Sequence, residues 1–429
     1  MRYSLFFIFS FLFIFQSWCQ SDFSLFKYRH VGPIRGGRVT AVTGVPSEPS
    51  TFYMGATGGG LWKSRDYGIS WDNISDGFFE TPSIGAIAVA TKDSNILYVG
   101  TGSDGLRSNV ITGKGMYKSI DAGQNWTHLG LKKTGQIGRV LIHPNDHNKA
   151  YAAAIGNPFK ANAERGLYQT KDGGKTWKNV LFISETVGIS DVEFLPGNPQ
   201  IMFASAWKAE RKPWTIISGG TASEGGIYKS YDGGSSWEKI TAGLPKGLIG
   251  KIDLELCPAD SKLVYALIEA PGAEGGLYKS NDQGQSFVLI SNEVAIRTRP
   301  FYYTNLKVDP TDPENVFVMA TGYYKSTDGG KNWNRMQSPH GDNHDMWINP
   351  NDPNLFIQSN DGGANVTHNG GKTWSTQFNQ PTAELYQVEV DDQFPYWLYA
   401  GQQDNYTTIA VPSMAPYGLQ DGNELLQGW

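Results

Sequence analysis

A short pattern, Ser/Thr-x-Asp-x-Gly-x-Ser/Thr/Asn-Trp, recurs seven times between Ser64 and Trp374, and it limits the chain to a repeat architecture. The copies carry their acidic or amide residue at Asp66, Asp121, Asp172, Asp232, Asp282, Asp328 and Asn369, spaced 55, 51, 60, 50, 46 and 41 residues apart. That pitch is the length of one four-stranded propeller blade with a variable loop. The residue types suit a tight turn: an Asx side chain bonds backbone N–H groups two residues on, and Gly accepts positive φ. The aromatic residue, Phe287 in the fifth copy and Trp in the others, starts the next strand and fills the wedge between neighbouring blades. Equivalent positions on different blades cannot converge on one site, so the seven residues read as structural staples rather than as metal ligands or catalytic acids.

A second marker lies inside the repeats, a Pro/Asp/Asn turn followed by an apolar strand, as in Pro310 to Phe317 and Pro350 to Phe356. One blade then reads as strand A, Pro/Asp turn, strand B, variable loop, strand C, box, strand D. The expected fold is all-β, a propeller of at least seven four-stranded antiparallel blades with the box between the third and fourth strands. The 51 glycines and 13% aromatic residues fit many short strands and turns. Because strand direction alternates, the A–B turns and boxes share one face of the disc. The B–C loops, over 101–115, 156–166, 207–226, 360–363 and from 402 on, share the other and are where a site is to be sought.

Residues 1–19 have the form of a signal peptide: Arg2, an apolar run from Leu5 to Phe15, and Ser17-Trp18-Cys19. The expectation is a secreted, periplasmic or cell-surface protein without a membrane span. Lipoprotein processing before Cys19 is disfavoured by the bulk of Trp18. The propeller is expected over 20–383, with a strand at 28–31 as ring-closing clasp, and 384–429 as the truncated start of an eighth blade or second propeller. Cleavage leaves Cys257 alone, which excludes a disulfide within the chain. A net charge of −5 and the lack of any basic run exclude nucleic acid as partner. No cofactor and no metal are expected, since His344, between Asp342 and Asp345, has no second His or Cys nearby.

The box resembles the Asp-box, or BNR repeat, of sialidases, sortilin-type receptors, two-propeller xyloglucanases and propeller-type photosystem assembly factors. Further stretches carry a more specific resemblance: Gly36-Gly-Arg38-Val, Gly58-Gly-Gly-Leu-Trp62, Arg299-Pro-Phe-Tyr302-Tyr303, Gly341-Asp-Asn-His344-Asp345, Asn360-Asp361-Gly-Gly and Gln402-Gln403-Asp404-Asn405. Together they resemble the large secreted bacterial proteins termed sortilin N-terminal-like or glycosyl-hydrolase BNR-repeat proteins, of the WD40/YVTN-like propeller kind. The resemblance implies the fold and leaves the activity open.

Candidate ligand-binding residues on the loop-rich face are Arg38, Arg107, Arg139, Arg165, Trp207, Arg211, Trp214, Arg299, Tyr302, Tyr303, His344 and Gln403. Candidate catalytic carboxylates are Asp104, Asp345, Asp361 and Asp404. The Phe/Tyr-Arg-Ile-Pro stretch of sialidases is absent. The preferred expectation is a non-catalytic propeller that binds a protein, peptide or glycan at the mouth of its channel through Arg, Trp and Tyr anchors. The alternative is a glycoside hydrolase of the xyloglucanase-like propeller type, which needs two carboxylates roughly 5 to 9.5 Å apart.

Overall fold

The computed structural model describes residues 30–107, 109–405 and 409–413, so the leader expected over 1–19 lies outside the described residues. Seven antiparallel sheets follow one another along the chain, each beginning with its innermost strand. These innermost strands are Val39–Val45, Ile84–Ala90, Gln136–Ile142, Val187–Leu195, Ile252–Leu256, Asn305–Val308 and Asn343–Asn349. Each packs against the next, and Val39–Val45 also packs against Asn343–Asn349, so the strands close into a ring around an axis. The first six blades hold the expected four-stranded order, with an extra strand, Thr215–Ser218, paired onto the second strand of blade 4.

Polar side chains link blade to blade. On three innermost strands an Asp accepts the backbone N–H of the following blade: Leu254 N to Asp191 at 2.8 Å, Leu306 N to Asp253 at 2.5 Å, and Val42 N to Asp345 at 3.0 Å. The last of these joins blade 7 to blade 1. Farther out, the residue before the box Ser or Thr reaches the next blade's box in several blades, as Lys63 Nζ does to Ala122 O at 3.0 Å, Gln169 Nε2 to Gly233 O at 3.0 Å and Lys229 Nζ to Gln283 O at 2.6 Å. Two box tryptophans point the other way: the Trp126 and Trp177 indoles donate to Ile74 O and Leu129 O of the preceding blade, at 2.7 and 2.9 Å.

Each box is held largely by its own Ser or Thr and Asp or Asn side chains. Ser326 Oγ accepts from Gly330 N at 2.9 Å and donates to Asp328 Oδ1 at 2.7 Å. The other Asp328 oxygen accepts from the Asn332 amide at 2.7 Å. The same bonds recur at Asp66, Asp121, Asp172, Asp232 and Asp282, and at Asn369 with the amide as donor to Thr373.

Blade 7 departs from the repeat. Its sheet has three strands, Asn343–Asn349, Asp352–Asn360 and Gly363–Thr367. In place of a fourth strand, the Gln380 side-chain amide accepts from Ala364 N at 2.9 Å and donates to Ala364 O at 2.6 Å, much as a strand neighbour would. Of the clasp expected over 28–31, Tyr28 and Arg29 fall outside the described residues, and His30 and Val31 are not in a strand. Instead the N-terminal segment meets blade 7 at residues 35–37, where Gly36 N donates to Gln377 O at 2.8 Å and Thr382 N to Arg35 O at 3.2 Å. A Cβ on Gly36 would stand 2.0 Å from Gly362 O, and one on Gly37 2.3 Å from Thr382 O, which is why two glycines precede Arg38. An eighth sheet follows, made of Leu385–Val390, Trp397–Gln402 and a third strand, Ile409–Pro412, that sequence reasoning did not foresee.

Deleting the buried Ser326 hydroxyl leaves the Gly330 N–H unpaired, so Ser326→Ala is expected to cost about 1–3 kcal/mol in urea unfolding. The box carboxylates also fix an acid response. Hydrogen bonds from the Thr176 side chain and backbone hold Asp172 down to about 2, from an ordinary 3.8. A depressed folded-state value stabilises above the unfolded one and is lost as pH falls through the folded one. The melting temperature is therefore expected to decline between pH 4 and 2, and a flat profile there would contradict this account of the boxes.

Candidate active site

The sequence candidates separate into two places. Asp104, Asp345 and Arg139 line an axial cavity of about 400 Å³ inside the ring, together with Asp191, Glu193, Lys251, Asp253, Glu255 and Lys307. Ion pairs cross this space: Arg139 with Glu193 and with Asp191 at 3.4 Å, and Lys307 with Glu255 at 2.7 Å. Arg139 is thus a strut of the channel wall rather than a mouth residue. Burial pushes Glu255 up to about 7 and Asp253 up to about 8, and the nearby carboxylates Glu193 and Asp191 add to the effect. Burial also raises Asp104. Both Asp345 oxygens are taken, by Val42 N and by Met346 N at 2.9 Å.

The second place lies on the face opposite the boxes, around Arg38. Arg38 directly precedes the first strand of blade 1 and is buried. Its Nη2 bonds Asp361 Oδ2 at 2.6 Å and Asp404 Oδ2 at 2.9 Å, its Nη1 bonds Glu384 Oε2 at 2.6 Å, and its Nε bonds Asp361 Oδ1 at 2.8 Å and the Tyr302 hydroxyl. Asp361 sits in the turn between the second and third strands of blade 7, while Glu384 and Asp404 belong to the eighth sheet. Tyr302 and His344 complete the cluster. The Tyr302 hydroxyl donates to Asp361 Oδ1 at 2.9 Å, and His344 Nε2 lies 2.6 Å from the same oxygen. His344 Nδ1 is buried without a hydrogen-bond partner.

These surroundings drive two neighbouring carboxyls apart. Burial alone would raise Asp361, but His344 and Arg38 outweigh it and hold Asp361 far below the usual carboxylate range, fully ionised. Asp404 is raised above its ordinary 3.8, first by burial and then by the ionised Asp361 beside it. Of the Arg38 partners, Asp361 is sealed, whereas the Asp404 and Glu384 side chains keep 34% and 21% of their surface open to solvent. Arg107 supports Glu384 with a two-pronged contact at 3.3 and 3.2 Å. Arg107 rides on the same loop that sends Asp104 into the axial cavity, and the loop is pinned by Leu106 N to Phe301 O at 2.8 Å. The Gln403 side chain donates to Asp404 Oδ2 at 2.8 Å.

Several expected ligand contacts are structural instead. Trp207 is fully buried, with its indole donating to Ser218 Oγ at 3.0 Å, because it forms the apolar floor under the loops together with Leu106, Ile155 and Ala209. Arg165 is fully buried and donates only to backbone carbonyls, those of Ile155, Asn157 and Ala209. Tyr303 is buried and bonds Asp342 and Thr321. Arg299 stays exposed, 3.5 Å from Asp342. Arg211 donates to Arg107 O at 3.0 Å, and Trp214 stands free in solvent. Glu384 was missed in the sequence, because a single Glu before a strand forms no pattern. Among the described residues, no group of three or more His, Cys, Asp and Glu side chains is arranged to hold a metal ion. No helix among them is long and apolar enough to cross a membrane.

Comparison with known proteins fits this architecture. A family model described as sortilin, neurotensin receptor 3, matches residues 59–210. A xyloglucanase of Paenibacillus sp is 24% identical over 340 residues, covering 70% of this chain and 31% of that protein. A probable oligoxyloglucan-reducing end-specific xyloglucanase of Neosartorya fischeri is 24% identical over 362 residues, covering 72% of this chain and 41% of that protein. The chain thus spans about a third of the length of the curated relatives it matches. The crystal structure of a Niastella koreensis GH74 enzyme superposes with a TM-score of 0.63 at 16% identity, over 90% of this chain and 60% of that one. The chain is an all-β propeller, similar in fold to these xyloglucanase-type proteins. That xyloglucanases are its relatives overturns the expectation of a non-catalytic binding propeller and favours the hydrolase alternative.

Removing the Arg38 charge strands three carboxylates around one buried point. Arg38→Met is expected to cost about 3–5 kcal/mol in chemical unfolding. Arg38→Lys should recover little of it, since a point-like ammonium cannot serve all these partners at once; full recovery by Lys would contradict the hub described above.

Proposed function

We propose that the protein is an exported glycoside hydrolase that cleaves a glucan of the xyloglucan class, with Asp404 as general acid and Glu384 as base or nucleophile. One observation carries this reading: two solvent-reaching carboxylates are gripped by the two terminal nitrogens of the same guanidinium, and burial raises the pKa of one of them. Hydrolysis of this kind uses two carboxyl groups, roughly 5 to 9.5 Å apart, placed on either side of the glycosidic bond. Asp404, raised by burial and by ionised Asp361, gives its proton to the glycosidic oxygen as the bond to the anomeric carbon breaks. Glu384 activates a water, or attacks the anomeric carbon itself before water releases the sugar. Asp361 is too enclosed to reach a substrate and acts through Asp404, keeping its proton on. The apolar run and cleavage-type residues of 1–19 support export, and the xyloglucanase relatives support the substrate class.

Release of reducing ends from soluble xyloglucan is the direct test, and failure to cleave it or any other β-glucan would sink the reading. Asp404→Asn and Glu384→Gln are each expected to lower kcat by about 10²–10⁴-fold. With an aryl glycoside whose leaving group needs no proton, Asp404→Asn should cost much less. The activity should fall as pH rises through the elevated Asp404 value. Asp361→Asn removes the neighbouring negative charge, lowers the Asp404 value, and is expected to move that alkaline limb to lower pH.

A further inference from the structure

The carboxyl proposed as general acid stands on a strained piece of backbone. Asn405 N donates to Gln403 O at 2.8 Å, closing a three-residue turn with Asp404 at its centre, and the Asp404 φ is 60°. A turn of that hand is strained for a residue with a Cβ and persists only where its surroundings hold it. Gln403 N anchors one end on Glu384 O at 2.9 Å. The carbonyl of Asp404 itself is met by His340 Nε2 at 3.2 Å. His340 belongs to a distant stretch, the connection between Asn334–Met336 of blade 6 and Asn343–Asn349 of blade 7. The base of its ring lies on the turn that carries Asp361, since a Cβ on Gly362 would stand 2.9 Å from both His340 Cβ and Cγ. The connection is pinned there by Asp361 N to Asp342 O at 3.1 Å and by Ser338 Oγ to His340 O at 2.6 Å.

The other ring nitrogen decides what kind of contact this is. His340 Nδ1 lies 2.9 Å from Gly341 O. Both nitrogens therefore face carbonyl oxygens, which only accept, while a neutral imidazole has a single N–H to offer. We propose that His340 is a positioning residue for the hydrolysis, clasping the Asp404 turn to the connection between blades 6 and 7 while its ring carries two protons and releasing it when one is lost. Loss of a proton sets a nitrogen lone pair against a carbonyl lone pair, which turns one of the two contacts from attraction into repulsion. Histidine is the side chain that makes this change near neutral pH. The ionised groups on the segments packed against the ring are Asp361, Glu384, Asp404 and Asp342, with Arg38 bonded to the first three and Arg299 3.5 Å from the fourth. The ring meets none of these charges directly: both nitrogens are spent on backbone. The clasp is closed on the acid side, where Asp404 also keeps its proton, so the proton and its correct placement come and go together.

This inference rests on the hydrolase reading, and the test separates the two. In the full chain, kcat and KM on soluble xyloglucan are measured between about pH 5 and about pH 8, the range over which imidazoles titrate, for the unaltered protein, His340→Phe and His340→Gln. The expected result for His340→Phe is a kcat about tenfold lower at the acid end, the size of effect one charged hydrogen bond gives, with KM little changed. Toward the alkaline end, where the unaltered chain has lost its clasp as well, the deficit should shrink to about twofold or less. Gln has a donor that does not titrate, so His340→Gln is expected to recover part of the rate at every pH. On an aryl glycoside whose leaving group needs no proton the His340→Phe deficit should vanish, which a general loss of structure would not produce. A second readout needs no turnover: in the isotope-labelled full chain, the Asn405 amide, which shares its peptide with the clasped carbonyl, is expected to shift in step with the His340 ring as pH rises. A deficit that is the same at every pH, or equal on xyloglucan and the aryl glycoside, or an Asn405 amide indifferent to the ring, overturns the clasp and leaves the hydrolase standing. Cleavage of no β-glucan by the unaltered chain overturns both.

Discussion

Three carboxylates from three stretches of the chain meet on the guanidinium of Arg38, and the candidate site exists because they do. Asp361 comes from blade 7, Glu384 and Asp404 from the sheet that follows it, and Arg38 itself from the start of blade 1. Only a planar cation with donors at both ends can bond all of them, and the cluster is stable because each negative group brought out of water finds a charged hydrogen bond. The same contact that gathers the carboxylates joins the first blade to the last sheet. Closure of the molecule and assembly of the site are therefore one event at this seam.

The seam is also where the repeat fails. Six blades share the staple of box Ser or Thr to Asp, and several add a side chain reaching to the next box carbonyl or an indole reaching back to the preceding blade. A symmetric ring offers no unique point, because any side chain placed by the repeat has equivalents all round. Blade 7 breaks the pattern by losing its fourth strand to the Gln380 amide, and the space so left admits residues 35–37 and the turn at Asp361. The non-repeated residues, Gly36-Gly37-Arg38 among them, are those that make the site.

This division explains what the sequence disclosed. Boxes and Pro/Asp turns are local patterns whose chemistry is complete within eight residues, so the blades and the face bearing the loops could be read directly. Asp361 and Asp404 were within reach because they stand in loops of unusual composition. Glu384 was not, because its role comes entirely from Arg38 and Arg107, 346 and 277 residues away in the chain. Trp207 and Trp214 show the same limit from the other side. Seven residues apart in one loop-forming stretch, they are alike in sequence, yet the strand carries one into the floor and the other out to the tip.

Buried arginines sharpen the distinction between frame and site. Arg165 and Arg38 are both enclosed, and both use several donors, but their acceptors differ in charge. Arg165 bonds neutral carbonyls, so only a weaker attraction to Glu210 opposes the loss of water around its charge, and burial pulls it down to about 10 from an ordinary 12.5. Arg38 faces Asp361 and Glu384, and their attraction overcomes the same desolvation and raises it. A cation that answers to carbonyls fixes the path of a loop and asks for no ligand. A cation that answers to an excess of carboxylates leaves one of them short of charge compensation, and here that one is Asp404, exposed, elevated and facing solvent. Its carboxyl is raised by burial and by the Asp361 carboxylate beside it, against the pull of Arg38.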